Sequence, residues 1–133
     1  MKSLKYWIIF SSLLFGPATF AEEEHLSKQF SSCMDKAGGV TASMIDCMST
    51  ETKQQDAKLN KVYKDVMSLL SPNRKRQLQE AQRLWIKYRE ANCKFYYDPD
   101  GGTMARVSAN NCFMTATADR AKELESIKET SSL

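Results

Sequence analysis

The stretch CMDKAGGVTASMIDC, residues 33–47, sets two cysteines on either side of a diglycine. Cys33 lies five residues before Gly38, and Cys47 lies six residues after Thr41. A glycine pair ends a helix, and a threonine shortly after it reads as the cap of the next one. Folding the chain at Gly38-Gly39 brings the two cysteines level on adjacent antiparallel helices, so a Cys33–Cys47 disulfide is expected. The same design recurs further along. Cys93 sits five residues before Asp98-Pro99-Asp100-Gly101-Gly102, a turn by composition, and Cys112 sits about eight after an expected helix start at Met104. A Cys93–Cys112 bond follows. Each staple closes a loop of about 15 to 20 residues and is expected to stabilise by roughly 3 kcal/mol in the chain-entropy picture.

Outward from these turns the pattern is helical. A short first helix is expected over residues 22–36, where Glu22, Glu23 and Glu24 suit an N-terminus. A long second one runs over residues 41–70, with Met44, Ile45, Met48, Leu59, Val62, Tyr63, Val66 and Leu70 at three- and four-residue steps and a polar middle, residues 49–58, where a kink is expected. Ser71-Pro72 stops it and starts a third over residues 72–97, whose expected core stripe is Leu78, Ala81, Trp85, Tyr88, Asn92 and Phe95. A fourth spans residues 104–130, with Phe113, Thr117, Leu124 and Ile127 inward, and residues 131–133 are expected to fray. The fold class is all-α: a disulfide-stapled antiparallel bundle of about four helices.

Composition agrees. Five glycines and three prolines in 133 residues are about half the usual share, which argues against a turn-rich β-sandwich, and the length allows one domain. Residues 1–21, MKSLKYWIIFSSLLFGPATFA, carry two lysines, an apolar run of about ten residues and small residues at 19 and 21, the pattern of a secretory signal peptide. The run is too short for a transmembrane anchor, which takes roughly 20 residues. The expected organisation is a signal peptide over 1–21 and one exported helical domain over 22–133. Removing Lys2 and Lys5 leaves 17 basic and 16 acidic residues, a net of +1, so no nucleic-acid partner is indicated. Four cysteines in a small exported chain read as disulfides rather than a zinc site, with no C-x-x-C pair and His25 as the sole histidine. No cofactor is expected. Asp98-x-Asp100-Gly101 hints at a calcium loop, but the twelfth position falls at Ala109 instead of an acid, which leaves a plain turn.

Polar residues share faces with apolar ones in three places: Glu51, Asp56, Asn60 and Tyr63; Gln82, Trp85, Tyr88, Arg89 and Asn92; and Thr117, Arg120 and Leu124. The reading favoured here is an internal network in which Arg89 pairs with a carboxylate, Glu51 or Asp56; the alternative is a ligand or partner site. Met44-x-x-Cys47, Glu51, Asp56-x-x-Leu59-Asn60-x-x-Tyr63, Gln82-Arg83-x-Trp85-x-x-Tyr88-Arg89-x-x-x-Cys93, Gly101-Gly102, Cys112 and Thr117-x-x-Arg120-x-x-x-Leu124 together resemble the LprI-like family of small secreted bacterial proteins, named for a lysozyme inhibitor. The resemblance covers most of residues 30–125. It implies an exported, non-enzymatic binding domain whose protein partner is a lysozyme or another cell-wall-acting protein, in the periplasm or outside the cell. An envelope adaptor or immunity-type partner is the second reading. Such an inhibitor must block a cleft whose working groups are acids. The turn region over residues 97–106, held by the second staple and carrying Tyr97, Asp98, Asp100 and Arg106, is the expected contact loop. Arg74-Lys75-Arg76 reads as a solvated face.

Overall fold

A computed structural model of the chain describes residues 25–131. The expected signal peptide, Glu22–Glu24 and the last two residues lie outside these. Four helices follow in order: α1, Lys28–Ala37; α2, Thr41–Leu69; α3, Pro72–Phe95; and α4, Gly102–Ser131. Both disulfides are formed, Cys33–Cys47 and Cys93–Cys112. Consecutive helices are antiparallel, which makes α2 and α4 parallel neighbours. The ion pairs Lys58–Glu125 (3.1 Å) and Asp65–Lys128 (2.7 Å) record that direction.

The ends of the helices show which local signals act. Ser27 caps α1 by accepting from the Phe30 N–H at 3.0 Å, so the helix starts six residues later than expected at Glu22. Gly38 closes it at φ 54°, a left-handed conformation that glycine adopts without steric cost. The N-cap of α2 is Val40 and not Thr41, which is the first helical residue. α3 starts at Pro72 behind Ser71, as expected, and ends at Phe95, two residues short of Tyr97. α4 begins at Gly102, before Met104, and carries through Ser131.

The central cluster joins Leu59, Val62 and Val66 of α2 to Ala121 and Leu124 of α4, with Tyr63, Leu70, Leu78, Trp85 and Ile127 packed around it. Cys47 and Met48 of α2 and Met114, Thr117 and Ala118 of α4 continue the buried region towards the stapled ends. α4 is the shared wall. Its buried positions spread over a wide arc because it packs on α2 along one side and α3 along another, and Ala105, Ala109, Ala118 and Ala121 keep that close approach free of bulk.

Two expectations fail for physical reasons. The polar middle of α2 does not break, because Glu51 and Gln55 turn inward to bonding partners on the segment before α1. The core stripe expected for α3 holds at Leu78 and Trp85, which pack on the central cluster, and at half-buried Asn92, but Ala81, Tyr88 and Phe95 face solvent, and the fully buried residues are Gln82 and Cys93. Packed mainly on α4 instead of inside a surrounding bundle, α3 needs only a narrow inward face.

Candidate functional site

The α3–α4 connection is short and rigid. Asp98 Oδ1 accepts from the Asp100 N–H at 2.9 Å, and the Gly101 N–H donates to the Asp98 carbonyl at 3.1 Å. A Cβ on Gly101 would lie 2.8 Å from that of Ala105, so the turn requires glycine, and Gly102 at φ 62° requires it for its backbone. This corner projects Tyr97, Asp98, Asp100 and Arg106 into solvent, together with Tyr96, Met104 and Phe95, the last 81% exposed. The expected contact loop is therefore shorter than drawn from sequence. Arg106 belongs to the second turn of α4 and not to a loop.

Behind the corner, α3 and α4 diverge around an open groove of about 580 Å³. One wall carries Trp85, Tyr88, Asn92 and Tyr96; the other carries Asn111 and Thr115, with Asp119 and Glu123 towards the far end. Beneath Trp85 a floor of stacked cations joins α3 to α4; Arg120 reaches the groove lining and Arg89 does not. The guanidinium carbon of Arg89 lies 4.8 Å from the Trp85 ring centroid and 5.7 Å from that of Phe113, and that of Arg120 lies 5.9 Å from Trp85. Arg89 Nη1 donates to Thr117 Oγ1 at 3.0 Å, and that hydroxyl donates onward to the Phe113 carbonyl at 2.6 Å. Arg120 Nε donates to Gln82 Oε1 at 2.9 Å, while its Nη1 pairs with Glu123 at 2.6 Å. Asn92 Nδ2 approaches Cys112 Sγ at 3.6 Å, tying the groove wall to the staple.

The carboxylate expected for Arg89 is neither Glu51 nor Asp56. Residues five apart on a helix point about 140° apart, so these two acids do not share a face. Asp56 is exposed and accepts from Asn60 Nδ2 at 3.1 Å. Glu51, 1% exposed, faces the segment before α1. It accepts from the Ser27 hydroxyl, the Ser27 N–H (2.9 Å) and Gln55 Nε2 (2.7 Å). Burial pushes the Glu51 carboxyl up, but these three bonds outweigh it, and its pKa falls below the ordinary 4.5. Gln55 Nε2 lies also 2.9 Å from the His25 carbonyl, and the His25 ring meets Asp119 at 2.8 Å, which ties this N-terminal segment to the rim of the groove. Tyr63 packs on the core cluster.

The three constellations read from sequence thus form two sites. Gln82, Trp85, Arg89, Asn92, Thr117 and Arg120 meet between α3 and α4, with Tyr88 on the outer rim; Glu51 serves a separate anchor for α1. Sequence reading missed Ser27 and Gln55, and the α4 wall of the groove. Asn111, Thr115, Asp119 and Glu123 recur every four residues, a one-face signal that was available. Among the described residues, no group of three or more His, Cys, Asp or Glu is placed to hold a metal ion, and no helix is long and apolar enough to cross a membrane.

Comparison with known proteins adds the family. A protein of Rhizobium meliloti (strain 1021) called "Uncharacterized protein R02472" is 28% identical, over 62% of this chain and 70% of that one. No solved structure matches. The family described as "Lysozyme inhibitor LprI" matches residues 33–124, from the first cysteine to the buried Leu124, so that both staples and the α3–α4 floor fall inside it. The chain belongs to the lysozyme inhibitor LprI family.

Proposed function

We propose that this protein is an extracytoplasmic binding protein that inhibits a peptidoglycan-cleaving lysozyme by docking the α3–α4 corner into the enzyme's cleft. The observation that carries this reading is the family match across residues 33–124. Two disulfides support a place in the periplasm or outside the cell, since such bonds persist in oxidising compartments. Inhibition acts by binding, without catalysis.

The corner suits the task physically. A protruding segment loses little conformational freedom on docking when it is already rigid, and here the Cys93–Cys112 bond and the Asp98 turn supply the rigidity. Exposed Tyr97, Phe95 and Met104 give apolar contact area. Arg106 supplies a guanidinium for the cleft's carboxylates, a charge-assisted bond stronger than a neutral one.

The test is a turbidity assay of cell-wall lysis with purified protein. Lysis is expected to slow with added protein, and the Tyr97→Ala/Arg106→Ala double variant, both positions being exposed, is expected to need at least tenfold more for the same effect. Undiminished lysis by lysozymes of several types at micromolar protein would discard inhibition in favour of an envelope adaptor. Full inhibition by the double variant, with helicity intact, would move the interface away from the corner.

A further inference from the structure

We propose that the groove between α3 and α4 is a binding site for a neutral oligosaccharide. Its two walls differ in kind. Trp85, Tyr88 and Tyr96 line one side of α3 over eleven residues, about 16 Å at 1.5 Å per residue, which is the length of a short oligosaccharide and more than one sugar ring. Tyr88, 65% exposed, offers a ring that no core contact explains. Across from them, Asn111 presents an amide and Thr115 a hydroxyl that donates to the Asn111 carbonyl and keeps its oxygen as an acceptor, and Asn92 adds an amide oxygen from the aromatic side.

That division matches the two faces of a sugar. The C–H faces of pyranose rings lie against aromatic surfaces, and the hydroxyl or acetamido groups at the ring edges exchange hydrogen bonds with amides and hydroxyls. Charge selects a neutral ligand. Arg120, the cation that lines the groove, is already paired with Glu123, so an anionic ligand would have to displace that contact. The volume of about 580 Å³ lies within the ordinary range for small-ligand sites. Trp85 is held in place from within by Arg89 and Arg120, so the platform is set before a ligand arrives.

The site shares Tyr96 with the exposed corner assigned to lysozyme but none of the residues varied there, and its test contains no lysozyme, so the two readings fail independently. The full chain carrying Trp7→Phe leaves Trp85 as the reporter among the two tryptophans. Titration with β-1,4-linked N-acetylglucosamine trimer and tetramer, and with a maltose-series tetramer, is followed by tryptophan fluorescence and by calorimetry. Saturable binding of at least one series is expected, with affinity rising from trimer to tetramer. Tyr88→Ala and Asn111→Ala, both at exposed positions, are each expected to weaken it at least tenfold while circular dichroism stays unchanged. Absence of binding by every oligosaccharide overturns the proposal, as does binding that both variants leave intact.

Discussion

The α1–α2 and α3–α4 hairpins carry staples of one design and are fastened by opposite chemistry. Cys33–Cys47 and Cys93–Cys112 span 14 and 19 residues, so their effects on the unfolded chain are nearly equal. Beside the first staple sits a buried carboxylate, Glu51, held by Ser27 and Gln55. Beside the second sit two guanidiniums against an indole. A carboxylate can be neutralised by acid, whereas a guanidinium stays charged at any pH a protein survives. The comparison teaches that equal covalent constraints leave the two ends with different responses, set by which ionisable group backs each bond.

Removing a staple should give the largest effect. Cys33→Ser/Cys47→Ser and Cys93→Ser/Cys112→Ser are each expected to cost about 3 kcal/mol in denaturant unfolding. The second pair should cost more in local order, because Cys93 is one of only two fully buried residues of α3. Amide hydrogen exchange should show α3 opening well before α2 and α4. Equal protection of α3 in both double variants would mean that the cation–indole floor, and not the disulfide, holds that helix.

Acid should separate the hairpins next. The folded Glu51 pKa lies below the ordinary 4.5, so its contribution is complete above about 4.5 and is lost as pH falls through the folded value. Exchange at the start of α1 is expected to accelerate below pH 4.5 while the α3–α4 floor keeps its protection. Glu51→Gln, which keeps shape but removes charge, should cost about 1–3 kcal/mol at neutral pH and flatten that acid response. An acid response that persists in Glu51→Gln would point to other carboxylates, Asp65 foremost, whose bond to Lys128 also holds its pKa down.

Arg89→Lys gives the smallest expected change. An ammonium keeps the charge but loses the flat stacking surface between Trp85 and Phe113, at a cost of about 1 kcal/mol, with no new dependence on acid pH. A shift in Trp85 fluorescence should accompany it. An unchanged spectrum and melting temperature would show that the guanidinium contributes only its bond to Thr117.

Much of this architecture is written in local signals. The Gly38-Gly39 and Asp98–Gly102 turns, the Pro72 start and the similar distances of the paired cysteines from their turns act over a few residues, so helix number, hairpin order and both disulfides follow from sequence alone. The sequence put Gln82, Trp85 and Arg89 in one constellation and Arg120 in another, and the fold brings the two together.

What the tertiary structure decided is which neighbour each face meets. Periodicity gives every amphipathic helix an inward side but says nothing about how many partners surround it. α3 packs mainly on α4, so Tyr88 and Phe95 stay exposed where the same spacing in a central helix would bury them. Glu51 found Ser27 instead of Arg89 because the segment before α1 folds back over α2, a contact across 24 residues that no local pattern encodes. The groove has the same origin: its walls come from two helices whose separation is set by the staple, the short turn and the packing of α4 on α2, none of which is a property of either helix read alone.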